Sequence, residues 1–253
     1  MFSPPNSAHD NVAGETKRIP KKTRKPLKPV AVVPESLVNQ IFNDDCIEGM
    51  ARIPSATIPL IVTDIPYGVV SRASGGIRVF DKKQADVCNI SLPKLIAEFS
   101  RISAGSVYIF CGTEQVSELR ALLVNEGFTT RLCIWEKTNP TPVNGQHLWL
   151  SGVECCVFGR KKGATFNEHC KNTVWRFPNG RSKRHPTEKP LPLFEYLVNV
   201  SSAPGDIVFD PFMGSGTTAE ASLRLGRKYL GFELDKGYYE IAVERVKGAK
   251  RGS

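Results

Sequence analysis

No stretch of this 253-residue sequence approaches the roughly 18 to 20 consecutive apolar residues that a membrane-spanning helix needs. The first residues also lack the apolar core of a secretory signal. Both absences predict a soluble, cytoplasmic protein without a membrane partner. The seven cysteines (Cys46, Cys88, Cys111, Cys133, Cys155, Cys156 and Cys170) are odd in number and contain no C-x-x-C spacing. That excludes a zinc ribbon and argues against a disulfide framework, leaving reduced, mostly core thiols. His169, Cys170 and His185 lack a fourth ligand at any common spacing, so no metal is expected. Neither G-x-G-x-x-G nor G-x-x-x-x-G-K-[ST] occurs, which argues against a dinucleotide or a nucleoside triphosphate.

What is present is charge, unevenly placed. The net charge is +9, and residues 1–35 contribute +4 while residues 160–189 contribute +7, leaving −2 for the rest. Two basic patches on a near-neutral body are the footprint expected for a polyanion partner. Residues 1–35, with "KRIPKKTRKPLKP" and no apolar periodicity, cannot bury enough surface to offset the entropy of ordering and are predicted to be a disordered basic arm. A folded domain is expected over residues 36–248.

Within that span short apolar strands alternate with helical stretches. The strands are "NQIF", "IPLIVTD", "SVYIFC", "RLCIWEK", "VECCVFGRK", "DIVFD" and "KYLGFE". The helices are "LPKLIAEFSRI", "EQVSELRALLVNEG", "LPLFEYLVNVSS", "TTAEASLRLG" and "KGYYEIAVERVKG". Such alternation predicts an α/β fold with a doubly wound, mostly parallel sheet covered on both faces.

Two stretches carry chemistry. In "IVFDPFMGSGTT" a strand runs into a glycine turn and then a helix, where Gly214 and Gly216 allow close backbone approach to a ligand. Glu233 ends the next strand about twenty residues on, the spacing at which such folds place an acid on ribose hydroxyls. The pattern fits an adenosine-type cofactor. In "TDIPYG", residues 63–68, an apolar strand ends in Asp, Pro and Tyr, delivering polar groups to the sheet edge where open α/β folds hold ligands.

Taken together the sequence resembles the amino-methyltransferases of DNA. "DPFMGSGTT" is similar to that family's S-adenosylmethionine motif, "TDIPYG" to its catalytic Asp-Pro-Pro-Tyr motif, and "HPTEKP" at 185–190 to its third signature. With the catalytic motif first and the cofactor motif last, the order is circularly permuted as in the beta group, which includes the cell-cycle-regulated adenine methyltransferases. "NDDCIEGM" and "IWEKTNP" extend the resemblance over about residues 39–246.

The resemblance implies a Rossmann-like methyltransferase fold and S-adenosylmethionine as cofactor. It assigns Asp210 and Phe212 to the cofactor's amino group and face, and Gly214, Ser215, Gly216 and Thr217 to the turn beneath its methionine moiety. Glu233 matches the ribose acid, Asp45 and Cys46 the adenine-contacting pair, and Lys189 the methionine carboxylate partner. For catalysis it implies that Asp64 and the backbone carbonyl of Ile65 accept hydrogen bonds from an exocyclic base amine. Pro66 sets the conformation of residue 65, and Tyr67 stacks on a base flipped out of the duplex. Ile65 departs from the family, which usually carries proline there.

A short target-recognition segment is expected at 164–184. There Arg176, Arg181, Lys183 and Arg184 suit phosphates or guanine edges, Asn179 suits adenine, and Trp175 and Phe177 can stack or wedge. Loop 69–84 is expected to close on the flipped base. Family members with Asp or Asn at the position of Asp64 usually methylate adenine N6, and those with Ser usually methylate cytosine N4. The expected function is site-specific DNA adenine-N6 methylation. Alternatives are cytosine N4, a structured RNA substrate, or a catalytically idle binding homologue. A stand-alone enzyme, phage-borne or an orphan, is expected over a fused restriction system, and a homodimer is allowed.

Overall fold

The computed structural model describes residues 31–66, 91–142, 145–180 and 188–251. The basic arm up to residue 30, loop 69–84, Tyr67, Arg181, Lys183 and Arg184 lie outside the described residues. The strands are β1 (Gln40–Phe42), β2 (Ile58–Asp64), β3 (Ser103–Cys111), β4 (Thr129–Lys137), β5 (Val153–Arg160), β6 (Val174–Phe177), β7 (Ile207–Asp210) and β8 (Lys228–Phe232). The helices are α1 (Cys46–Met50), α2 (Leu92–Ile102), α3 (Val116–Asn125), α4 (Leu191–Ser201), α5 (Thr217–Arg224) and α6 (Lys236–Arg251). No described helix is long and apolar enough to cross a membrane.

The eight strands among the described residues form one sheet in the order β1-β8-β7-β2-β3-β5-β4-β6. Only β5 is reversed, pairing antiparallel with both β3 and β4. The apolar run of β2 is divided between the two faces: Leu60, Ile61 and Val62 alternate with the strand's period of two, and an irregularity in register between Ile58 and Leu60 sets Ile58 on the same face as Ile61. Ile58 and Ile61 meet Leu95, Ile96 and Phe99 of α2 on one face, where α1 and α3 also pack. Leu60 and Val62 meet Leu193, Leu197 and Val198 of α4 and Ala221 of α5 on the other. Burial on both faces explains why this strand reads as a continuous hydrophobic run. Helix α6 completes a third cluster through Ala242 and Val246, against Ile41, Met213, Ala219 and Tyr229.

Because β2–α2–β3 crosses over one face and β7–α5–β8 over the other, the strand order turns around between β7 and β2. A crevice opens at the carboxyl ends of strands at such a point.

Within 164–184, the segment expected for target recognition, Val174–Phe177 is instead the sheet's edge strand, paired in parallel with β4. Trp175 is buried against Tyr108 and Phe110, so its ring belongs to the core rather than to a stacking surface. The Trp135 indole donates to the Phe177 carbonyl at 2.9 Å, tying this edge strand to β4.

Candidate active site

Four neighbouring strands deliver four acids to one edge. Asp45 follows β1, Glu233 follows β8, Asp210 ends β7 and Asp64 ends β2. Each is held differently. Asp45 caps α1, accepting from the amides of Ile47 (2.8 Å) and Glu48 (3.1 Å), while Cys46 next to it is buried in the first core cluster.

Asp210 is 3% exposed and accepts from the Thr63 hydroxyl (2.7 Å), the Phe212 amide (3.0 Å) and the Thr218 hydroxyl (2.5 Å). Burial pushes its pKa up to about 7 although these hydrogen bonds oppose the shift. Glu233 receives the Gly214 amide on one oxygen (2.7 Å) and the Asp235 amide on the other (2.8 Å). Burial raises its pKa too, against the pull of those amides.

The glycine turn has the backbone its residues predict. Gly214 and Gly216 both sit at positive φ, 54° and 84°. At Gly216 a side chain would be doubly penalised, because an added Cβ would also lie 3.0 Å from the Cα of Ala242 on α6. Beneath the turn is a cluster that sequence reasoning missed. The buried Arg245 of α6 donates to the Ser215 hydroxyl (3.2 Å) and the Thr217 hydroxyl (3.0 Å). It also pairs with Glu188 (2.9 Å) and with Glu220. The Thr217 hydroxyl is therefore engaged on the α6 side of the turn. An arginine within the apolar stripe of Ala242 and Val246 was the available signal, because a charge on an inward face needs partners.

At the end of β2, Asp64 keeps 28% of its side chain exposed. Lys189, only 7% exposed, places its ammonium 2.5 Å from Asp64 Oδ2 and 3.0 Å from Glu154 Oε2. The structure thus brings Lys189 to the Asp64 carboxylate. Burial alone would lower the lysine's pKa, but Asp64 and Glu154 outweigh it and the net shift is upward. The Pro66 carbonyl is held by the Gln115 amide at 3.2 Å, and Gln115 also accepts from the Gly112 amide at 2.9 Å.

A family profile described as DNA methylase (N6_N4_Mtase) matches residues 58–244. The chain belongs to this family. Among curated relatives, the type II methyltransferase M.HinfI of Haemophilus influenzae is 31% identical over 249 residues, covering 84% of this chain and 69% of that protein. M2.DpnII of Streptococcus pneumoniae is 26% identical over 239 residues, covering 81% and 88%. The solved M1.HpyAVI complex with S-adenosylmethionine aligns with a TM-score of 0.65 at 29% identity, over 82% of this chain and 98% of that one. The cytosine-N4-specific PvuII enzyme, at 16% identity and a TM-score of 0.64, shares the fold.

This DNA methyltransferase is of the beta group and uses S-adenosylmethionine. The donor set fits that cofactor: buried acceptors at Asp210 and Glu233 suit its ammonium and ribose hydroxyls, and Phe212 flanks a turn open on the Gly214 side, where an added Cβ meets nothing closer than 3.9 Å. Ile65, where the family usually carries proline, has a local role. Its amide donates to the Phe110 carbonyl at 3.1 Å, prolonging the β2–β3 ladder by one residue, and its side chain is buried in the first core cluster. Ile65→Pro deletes that donor, leaves a buried carbonyl short of a partner and removes apolar contacts. We expect it to lower unfolding stability by about 1 to 3 kcal/mol, read as a shifted denaturant midpoint. An unchanged or raised midpoint would show that the proline form suits this backbone.

The DNA-facing candidates are only partly described. Arg176 projects from β6, largely exposed and paired with Glu136 at 3.0 Å. Asn179 is half-buried, its backbone amide donating to the Asn139 side chain at 2.5 Å. Phe177 is half-buried against the second core cluster. An exposed aromatic side chain that sequence reasoning missed lies at the same edge of the sheet as the four acids. Trp149, 100% exposed between Leu148 and Leu150, lies in the connection from β4 into β5, whose first residues adjoin the carboxyl end of β3. The apolar run "HLWL" inside a Gly/Pro/Asn-rich loop was its signal.

Proposed function

We propose that this methyltransferase modifies N6 of adenine in duplex DNA, acting on a base flipped out of the helix. The observation that carries the reading is Asp64: a carboxylate at the sheet's switch point, partly exposed, beside the acids and glycine turn of the cofactor region. An exocyclic amine is a poor nucleophile because its lone pair is delocalised into the ring. Asp64 and the Ile65 carbonyl accept its hydrogens and draw the nitrogen towards tetrahedral geometry, so catalysis is orientation plus preorganised electrostatics.

When bound, the cofactor supplies a methyl group on a positively charged sulfonium, an excellent leaving group. A nitrogen–carbon bond forms as the sulfur–carbon bond breaks, and one amine proton leaves through Asp64 to water. Asp210 holds the cofactor's ammonium, Glu233 its ribose and Phe212 its adenine face, while Gly214 to Thr217 form the floor. Tyr67 stacks on the flipped base. Arg176, Asn179, Arg181, Lys183, Arg184 and the basic arm attract and read the duplex, and the Leu148–Trp149–Leu150 run adds an apolar surface able to meet a base stack. The cytoplasm, where the genome lies, is the matching compartment.

The test is the product. The protein is incubated with duplex DNA and methyl-labelled cofactor, and the DNA is digested to nucleosides and weighed by mass spectrometry. N6-methyladenine is expected. Label only in cytosine identifies the N4 activity instead, and no transfer to any DNA, with cofactor bound, identifies an idle homologue.

Asp210 gives this reading a pH signature. Its raised pKa means that the ligand-free protein is stabilised below the ordinary aspartate range and loses that contribution as pH rises through about 7. Binding an ammonium there expels the proton. Cofactor affinity should therefore rise about eightfold between pH 6 and 7.5, with proton release visible in calorimetry across buffers of different ionisation enthalpy. A flat profile would detach Asp210 from the ammonium.

A further inference from the structure

Two lysines and two carboxylates alternate in a short chain that ends on Asp64. Lys137 Nζ lies 2.8 Å from Glu154 Oε1, Glu154 Oε2 lies 3.0 Å from Lys189 Nζ, and Lys189 Nζ lies 2.5 Å from Asp64 Oδ2. The four groups come from the end of β4, the start of β5, the turn before α4 and the end of β2. The Lys189 ammonium also lies over the Phe110 ring, 5.6 Å from its centroid. Charges sum to zero along the chain, which is the condition under which buried ions are tolerated.

Glu154 is the member whose presence the methyl-transfer chemistry does not by itself require. It is the second residue of a strand that is apolar from Cys155 to Gly159 and ends in Arg160, and its pKa is lowered overall: burial raises it, but Lys189 and Lys137 more than offset that. A lysine has a long, rotatable stem and costs rotamer entropy to fix. A second carboxylate on the far side of the ammonium confines it to one place.

We propose that Glu154 is a positioning residue for methyl transfer: by clamping Lys189 against Asp64 Oδ2, it fixes the orientation of the carboxylate that meets the target amine. The inference rests on the assignment of Asp64 to that amine. It gives Lys189 a role on the base side of the site, where the family resemblance implied a cofactor contact.

Steady-state kinetics of the full chain on duplex DNA test it, with Glu154→Gln, Lys189→Gln, the double variant and Asp64→Ala. A mispositioned acceptor lowers kcat and leaves binding alone, so Glu154→Gln should lose about 10- to 100-fold in kcat, with the cofactor KM within about threefold of wild type. Since Glu154 acts through Lys189, the double variant should lose no more than Lys189→Gln alone, a departure from additivity that a merely structural contribution would not produce. Glu154→Asp, which keeps the charge, should recover part of kcat, and it carries the kcat-against-KM comparison should Glu154→Gln not fold. Wild-type kcat in Glu154→Gln beside an inactive Asp64→Ala overturns the positioning role and leaves Asp64 standing. A raised cofactor KM with unchanged kcat overturns it in favour of a cofactor contact, and multiplicative losses overturn it in favour of independent action. Retained transfer in Asp64→Ala removes the underlying assignment itself.

Discussion

Asp64→Ala should abolish methyl transfer while sparing the cofactor site. Asp64 ends β2, whereas Asp210, Glu233 and the glycine turn lie on and after β7 and β8, two strands that do not depend on the Asp64 side chain for any hydrogen bond described above. Losing a preorganised acceptor at the reacting nitrogen should lower kcat by roughly a thousandfold, and Lys189 keeps Glu154 as its partner. Calorimetry should find cofactor affinity within a few-fold of wild type. Equal loss of cofactor binding would place Asp64 in the cofactor site and remove it from the chemistry. Asp64→Asn, which keeps an acceptor oxygen but not its charge, should fall between the two.

The second large effect is on stability. Arg245→Met removes the one cation that joins Glu188, Glu220, Ser215 and Thr217 beneath the glycine turn. Glu188 Oε2 is already buried without a hydrogen-bond partner, so the loss leaves that carboxylate uncompensated, while Glu220 retains Arg224 at 2.6 Å. Breaking a buried pair from one side costs about 3 to 5 kcal/mol, which should lower Tm by roughly 10 °C in a domain of this size. Cofactor binding should weaken as the Ser215–Thr217 turn loosens.

The pH dependence has a definite sign. Burial pushes the Glu220 carboxyl up, but Arg245 and Arg224 bring its pKa below the usual glutamate value overall. A depressed carboxyl pKa contributes stability above that usual value and loses it as pH falls through the folded one. Arg245→Met should therefore flatten the acid limb of the stability profile. A Tm within a degree or two of wild type would show that the cluster has no net stabilising role.

Much of the architecture is legible locally. The boundaries of β2 and α2 follow directly from the apolar run "IPLIVTD" and from the stripe Leu95, Ile96, Phe99 and Ile102, because strand and helix periods are written into consecutive residues. Helix α1 and strand β6 escaped that reading. They are short and carry no apolar run, Glu48 and Gly49 interrupting α1 and Arg176 interrupting β6, and β6 exists because β4 offers it an edge.

By itself the sequence determined the alternation of strands and helices, the positive-φ glycine turn, and the acids placed at strand ends, all properties of short segments. The reversal of β5, the burial of Trp175, the Arg245 cluster and the seating of Lys189 were decided only by the tertiary structure. Lys189 and Asp64 are 125 residues apart. Nothing local tells a lysine before a helix which carboxylate it will meet, since the partner depends on which strands become neighbours, and strand order follows from the packing of both sheet faces at once.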